Sequence, residues 1–178
     1  MSELFKQTVA RLPEILVKNA SPMMLRMVAV MQKSISEDGQ LADAGYCVLL
    51  LKMAADDLAG GFERSIRESM DALRSGDAGR TFSATGFSLA IEPVGDDVAS
   101  EKADFQTAAL AFDKLLAKGK SLGVRGLRNY ERDVLLTCLK QALAKSRMSS
   151  DEVAKMLPYA RRALNDELVR LYAKLEAL

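Results

Sequence analysis

Side chains able to carry a reaction are few in this chain, and their spacing is poor. Its 178 residues include no histidine. That removes Ser-His-Asp and Cys-His nucleophiles, His-containing zinc sites and an imidazole acid or base near neutral pH. Chemistry would fall to Asp, Glu, Lys, Tyr, Ser or Cys. Gly119-Lys120-Ser121 ends like a phosphate-cradling Walker loop, but the position where that loop needs its first glycine holds Lys114, and the preceding segment reads as helix rather than strand. Asp96, Asp97 and Glu101 form an acidic group in which Asp97 and Glu101 would share a helix face as metal-binding carboxylates do, but a helix start attracts such acids through its dipole in any case. Asp56 and Asp57 are adjacent and point in different directions on a helix, so they do not make a cooperating pair. Cys47 and Cys138 each lie in an apolar run with no Cys-x-x-Cys spacing, and both read as buried free thiols in a reducing compartment. No reaction, metal or cofactor fingerprint emerges. The reading leans away from an enzyme and assigns no cofactor.

Charge is more informative than any motif. Residues 1–110 hold 11 Lys or Arg against 16 Asp or Glu, and residues 111–178 hold 14 against 8, so a total of +1 conceals a dipolar chain. The densest basic part is Lys114, Lys118, Lys120, Arg125, Arg128 and Arg132. Lys118, Lys120, Arg125 and Arg128 lie in or beside a glycine-rich stretch from which side chains can reach a polyanion. The competing reading is a solvated face, or an internal match to the acidic half. Only Tyr130 lies among these charges, so stacking support for nucleic acid is thin.

Three helical patterns are candidate contact surfaces. Met23, Met24, Met27 and Met31 place four of nine methionines within nine residues. Such a stripe lines an adaptable groove, with Met24, Met27 and Met31 facing a partner, or it is ordinary core. Leu164, Leu168, Leu171, Leu175 and Leu178 recur at heptad-like spacing and form a narrow seam. That seam packs on the helix carrying Leu135, Leu139 and Ala142, or pairs across a dimer. A helix from Asn129, a short capped helix from Ser150 and a longer one after Pro158 also trace the outline of a helix-turn-helix domain, with Ala154 at the junction and Arg161, Arg162, Asn165 and Arg170 facing a groove. Against that outline stand a proline where the turn commonly has glycine, and Asp166 and Glu167 facing phosphates. A bundle corner is the alternative.

The elements that must position these residues are helical nearly throughout. Leu4, Thr8, Leu12 and Ile15 mark one face, with Pro13 breaking it or opening a second piece. Ser21-Pro22 predicts a fresh start for a short helix through Ile35, closing near Gly39. Residues 41–58 are apolar enough to predict a helix buried on most of its circumference, ended or kinked by Gly60-Gly61. Phe62, Ile66, Met70 and Leu73 mark a further amphipathic helix. Phe82, Ala84, Phe87, Leu89 and Ile91 suggest an irregular or hairpin segment near 81–94. A helix over about 100–118 and a loop over 119–126 follow. Asn129 can cap the next helix, and Ser149-x-x-Glu152 is a capping box opening another that Pro158 ends.

These elements predict a mainly α fold, a single helical-bundle domain of six to eight helices over 1–178, with possible sub-units 1–79, 80–98 and 99–178. The opening Met1–Lys6 lacks the features of a secretory signal, and no apolar stretch approaches the length of a membrane span, which predicts a cytoplasmic protein. The leading expectation is a non-enzymatic helical interaction or assembly module with a protein partner or a second copy of itself. The alternative is a nucleic-acid-binding regulator using residues 114–132 and the C-terminal helix pair.

Overall fold

The computed structural model describes residues 2–75 and 102–178. The expected β or irregular segment near 81–94 and the acidic group Asp96, Asp97 and Glu101 lie outside the described residues. Within them the fold is mainly α, as expected, with α1 (Ser2–Ala10), α2 (Leu12–Asp38), α3 (Ala44–Ser75), α4 (Gln106–Ser121), a 3-10 turn (Leu127–Tyr130), α5 (Arg132–Ala144) and α6 (Ser150–Glu176).

Pro13 acts as the sequence suggests. It has no N–H to offer the Val9 carbonyl, so α1 stops at Ala10 and α2 opens at Leu12 with the proline in its first turn. Pro22 does not start a helix. It lies inside the 27-residue α2, which ends at Gly39 with a left-handed φ of 63°. The hydrogen bond Pro22 forgoes would have reached the carbonyl of Lys18. Both residues are exposed, so that carbonyl is not forced into the apolar core. Ala20, Met23, Met24 and Met27 meanwhile hold the two halves of α2 on one buried face.

The same reasoning corrects Gly60-Gly61 and Pro158. α3 is a single helix of 32 residues that runs through the glycine pair. A Cβ added to Gly61 would lie 3.6 and 3.7 Å from the Cα and Cβ of Ala142, so this is where α5 comes close to α3. α6 runs unbroken through Pro158 for 27 residues. The freed carbonyl is that of the exposed Ala154, and the strong start at Ser149, whose side chain accepts from Glu152 N–H while Glu152 accepts from Ser149 N–H, completes the expected capping box. With no turn at Pro158, the helix-turn-helix outline is absent, and Ala154 is exposed rather than packed at a junction.

Two boundaries also differ from expectation. Asn129 sits in the 3-10 turn, and α5 begins after Glu131. Gly119 belongs to α4 instead of a loop. A Cβ there would meet the end of the Leu127 side chain, so the glycine lets that leucine of the 3-10 turn lie directly on the helix.

Packing follows the buried faces. α2 and α3 form an extensive antiparallel pair, α5 lies along α3, and α6 packs chiefly against α4 and α2. Their inward residues join in one apolar core that includes Phe5, Met27, Leu51, Phe62, Leu168 and Tyr172. Each such side chain stabilises the fold by about 1.5–3 kcal/mol relative to leaving it in water.

Candidate functional site

The methionine stripe belongs to that core. Met24, Met27 and Met31 are each 0% exposed, so they line no open groove. Leu164 and Leu168 are likewise 0% exposed, Leu175 is buried and Leu171 half-buried. The leucine seam is therefore occupied within the chain and is not available to a dimer partner. Its neighbours are α4 and α2 more than the expected α5. Tyr172 anchors it, with its ring 4.9 Å from that of Phe112 and its hydroxyl donating to the Tyr130 carbonyl at 2.9 Å.

The basic residues divide into two groups. Arg161 and Arg162 both pair with Asp104, at 3.3 and 3.4 Å, and Arg161 is 4% exposed, so it cannot face a nucleic-acid groove. Arg162 keeps its side chain outward while sharing the same carboxylate. Lys155 pairs with Asp43 at 2.7 Å and Arg147 with Asp57 at 3.2 Å. Much of the C-terminal positive charge thus neutralises acids of the other half. Within the predicted basic segment, Lys118 is bound to the fold: it donates to the Glu176 carbonyl and lies 5.1 Å from the Phe5 ring centroid. Lys120, Arg125 and Arg128 are exposed and make no ion pair among the described residues.

A surface the sequence did not reveal lies on the first half of α3. Tyr46, Leu49 and Met53 recur at three and four residues and are 54%, 54% and 75% exposed. This corrects the expectation that residues 41–58 are buried nearly all round. Leu49, Leu50 and Leu51 are consecutive and span too wide an arc to be covered from one side. Leu51 is buried, Leu50 half-buried and Leu49 left outside. The signal is that run of three, set against the limited cover that the other described helices offer. Together the stripe exposes apolar surface on the order of a few hundred Å², comparable to the largest patch on a typical monomer, which is often a functional one. Exposed Lys52, Asp56 and Asp57 rim it.

The stripe is held by polar links at its N-terminal end. Tyr46 donates to Glu152 Oε1 at 2.5 Å while Glu152 Oε2 accepts from Ser149 N–H, so one carboxylate both caps α6 and fixes α3. These two donors hold Glu152 below its usual carboxylate range, and the neighbouring carboxylate raises the Tyr46 phenol. Lys155 lowers Asp43 beside it, and Tyr159 donates to Asp38 at 2.6 Å. The α2–α3 turn is thereby tied to the start of α6, and the stripe sits on a rigid mount.

The thiols are poor nucleophiles. Burial raises the Cys138 thiol to about 11, against which its contact with Ser69 Oγ at 3.3 Å works only weakly. Burial raises Cys47 as well. Among the described residues no group of three His, Cys, Asp or Glu is arranged to hold a metal, and no helix is long and apolar enough to cross a membrane. Comparison with known proteins returns no match, whether to a family model, a curated protein or a solved structure.

Proposed function

We propose that this chain is a helical protein–protein interaction module that receives a partner helix on the outward face of α3. The observation that carries this reading is the Tyr46-Leu49-Met53 stripe, exposed on a helix whose opposite face is locked into the core. A flat aromatic, a leucine and an unbranched, adaptable methionine suit a contact that excludes water at its centre, with Lys52 and Asp56 at the rim to set partner and register. The same reading keeps the module in the cytoplasm, supported by two buried cysteines that remain free.

The test is site-specific photo-crosslinking. A photoreactive residue at Met53, in the cell that makes the protein, should give a discrete protein adduct that the same residue at Glu68 does not. The reading fails if Met53 gives no adduct, or gives the same pattern as Glu68. One observation favours the nucleic-acid alternative, namely that Lys120, Arg125 and Arg128 make no ion pair among the described residues. It predicts RNA or DNA binding that weakens steeply with salt and disappears when all three become Glu. Absence of binding at low salt removes it.

A further inference from the structure

Where α3 and α5 come close at Gly61, they leave a groove of about 250 Å³ lined by Asp57, Gly61, Arg64, Ser65, Ala142, Lys145 and Arg147. Three of these side chains are cations and one is a carboxylate. Arg64 and Lys145 are exposed and make no ion pair among the described residues. Arg147 reaches Asp57 at 3.2 Å, but its side chain is 90% exposed, so this pair is weak and easily exchanged.

The floor is as informative as the rim. Ser65 is 2% exposed, and its hydroxyl has no hydrogen bond among the described residues. No fully buried polar side-chain atom among them lacks a partner, so the Ser65 oxygen must keep its access to the groove. It is a nearly buried donor with an open side toward the space the cations surround. The C-terminal end of α5 also lies here, and two of its last four carbonyls are engaged. Gln141 carbonyl accepts from Lys145 N–H, and Leu143 carbonyl from both Ser146 N–H and the Ser146 hydroxyl.

We infer that this groove is a binding site for a phosphomonoester, with the phosphate held by Arg64, Lys145 and Arg147 above the Ser65 hydroxyl. The excess of two positive charges matches the charge of about −1.5 to −2 that a phosphomonoester carries at neutral pH. Two guanidinium forks suit its oxygens better than a carboxylate's pair would use them. The phosphate displaces Asp57, the one carboxylate in the lining described, from Arg147. The groove is larger than a phosphate alone needs, which leaves room for the first atoms of the alcohol that carries it.

The experiment is an NMR titration of the intact chain, at fixed ionic strength, with phenyl phosphate and with a short phosphoserine peptide. Saturable shifts should centre on the amides of Gly61, Ser65 and Ala142. Arg64→Gln with Lys145→Gln should weaken binding at least about tenfold. Lys120→Gln with Arg125→Gln should leave it unchanged. Both pairs change exposed side chains, so the fold persists in each. Affinity should rise between about pH 5 and 7 as the phosphate loses its second proton. Binding of phenyl phosphate identifies a small ester as the ligand source, and binding of the peptide alone identifies a phosphorylated protein side chain. Binding of neither overturns the inference. So do shifts centred on residues 120–128, equal affinity in the Arg64/Lys145 variant, or an affinity indifferent to pH.

Discussion

Removing Arg26 should cost more stability than neutralising Glu167, although the two form one ion pair. Arg26 meets Glu167 through two hydrogen bonds, Nε to Oε1 at 3.1 Å and Nη2 to Oε2 at 2.8 Å. The burial is lopsided: the arginine side chain is 51% exposed and the glutamate 8%. In Arg26→Ala the carboxylate stays buried with only the longer 3.4 Å contact to Arg170. Stranding a buried charge costs about 3–5 kcal/mol, and the remaining Arg170 together with Arg26's half-exposed position brings the expected loss to about 2–3 kcal/mol. In Glu167→Gln the guanidinium already has water and the amide keeps one acceptor, so the loss is about 1 kcal/mol. For a chain of this size each kcal/mol moves Tm by about 2–4 °C. Urea unfolding and thermal melts followed by far-UV circular dichroism measure both, and the double variant should recover part of the Arg26→Ala loss because no charge is left stranded. An equal or larger loss in Glu167→Gln, or strict additivity in the double variant, would refute the assignment of the cost to the buried carboxylate.

Gly60→Ala should stabilise the chain by about 0.5–1 kcal/mol, since it adds a helix-favouring residue where a Cβ meets nothing within 4 Å; a lower urea midpoint would contradict the uninterrupted α3. Met24, Met27 and Met31 should resist mild peroxide while the exposed Met53 oxidises first, read by peptide mass spectrometry of the native protein; fast oxidation of the three would reopen the groove. Stability should decline above about pH 9. The Cys138 thiol rises from its ordinary 9.0 to about 11 and the Tyr159 phenol from 10.0 to about 12, so the folded state holds protons that the unfolded chain releases first. The contribution is complete below pH 9 and lost as pH climbs through the folded values, and Cys138→Ala should flatten the first part of that decline in a series of urea midpoints.

The faces of the helices were legible in the sequence, and their continuity was not. Leu135, Cys138, Leu139 and Ala142 turn inward as their spacing says, and the Ser149–Glu152 box opens α6 as written. Pro22 and Pro158 read locally as boundaries and Gly60-Gly61 as an end or a kink, because each carries a local cost of about 1–3 kcal/mol. In the fold that cost is outweighed by apolar faces continuing on both sides, and the carbonyls freed by the two prolines belong to exposed residues. Of the candidate basic residues, Lys120, Arg125 and Arg128 are exposed and make no ion pair among the described residues. The neutralisation of Arg161 by Asp104 joins residues 57 apart, and the Arg26–Glu167 pair joins residues 141 apart, and no local pattern announces either. The groove beside Gly61 was hidden for a related reason. Its lining comes from two stretches of chain far apart in sequence, and the glycine that shapes it reads locally as the end or a kink of a helix.

The position of α6 in the bundle bears on how the protein is made. α2 and α3 emerge from the ribosome as neighbours and can pair as a hairpin at once, but the α2 face that packs on α6 has no cover until Ser150–Glu176 has been synthesised. At about 5–20 residues per second the chain from Ser75 to Glu176 takes roughly 5–20 s, far longer than a hairpin of helices needs to form. During that interval the part of α2 that α6 will cover is displayed by a half-finished protein. The nascent chain should therefore be a client of holdase chaperones over this window, and chains stalled before Ser150 should aggregate or be degraded rather than accumulate as a folded N-terminal half.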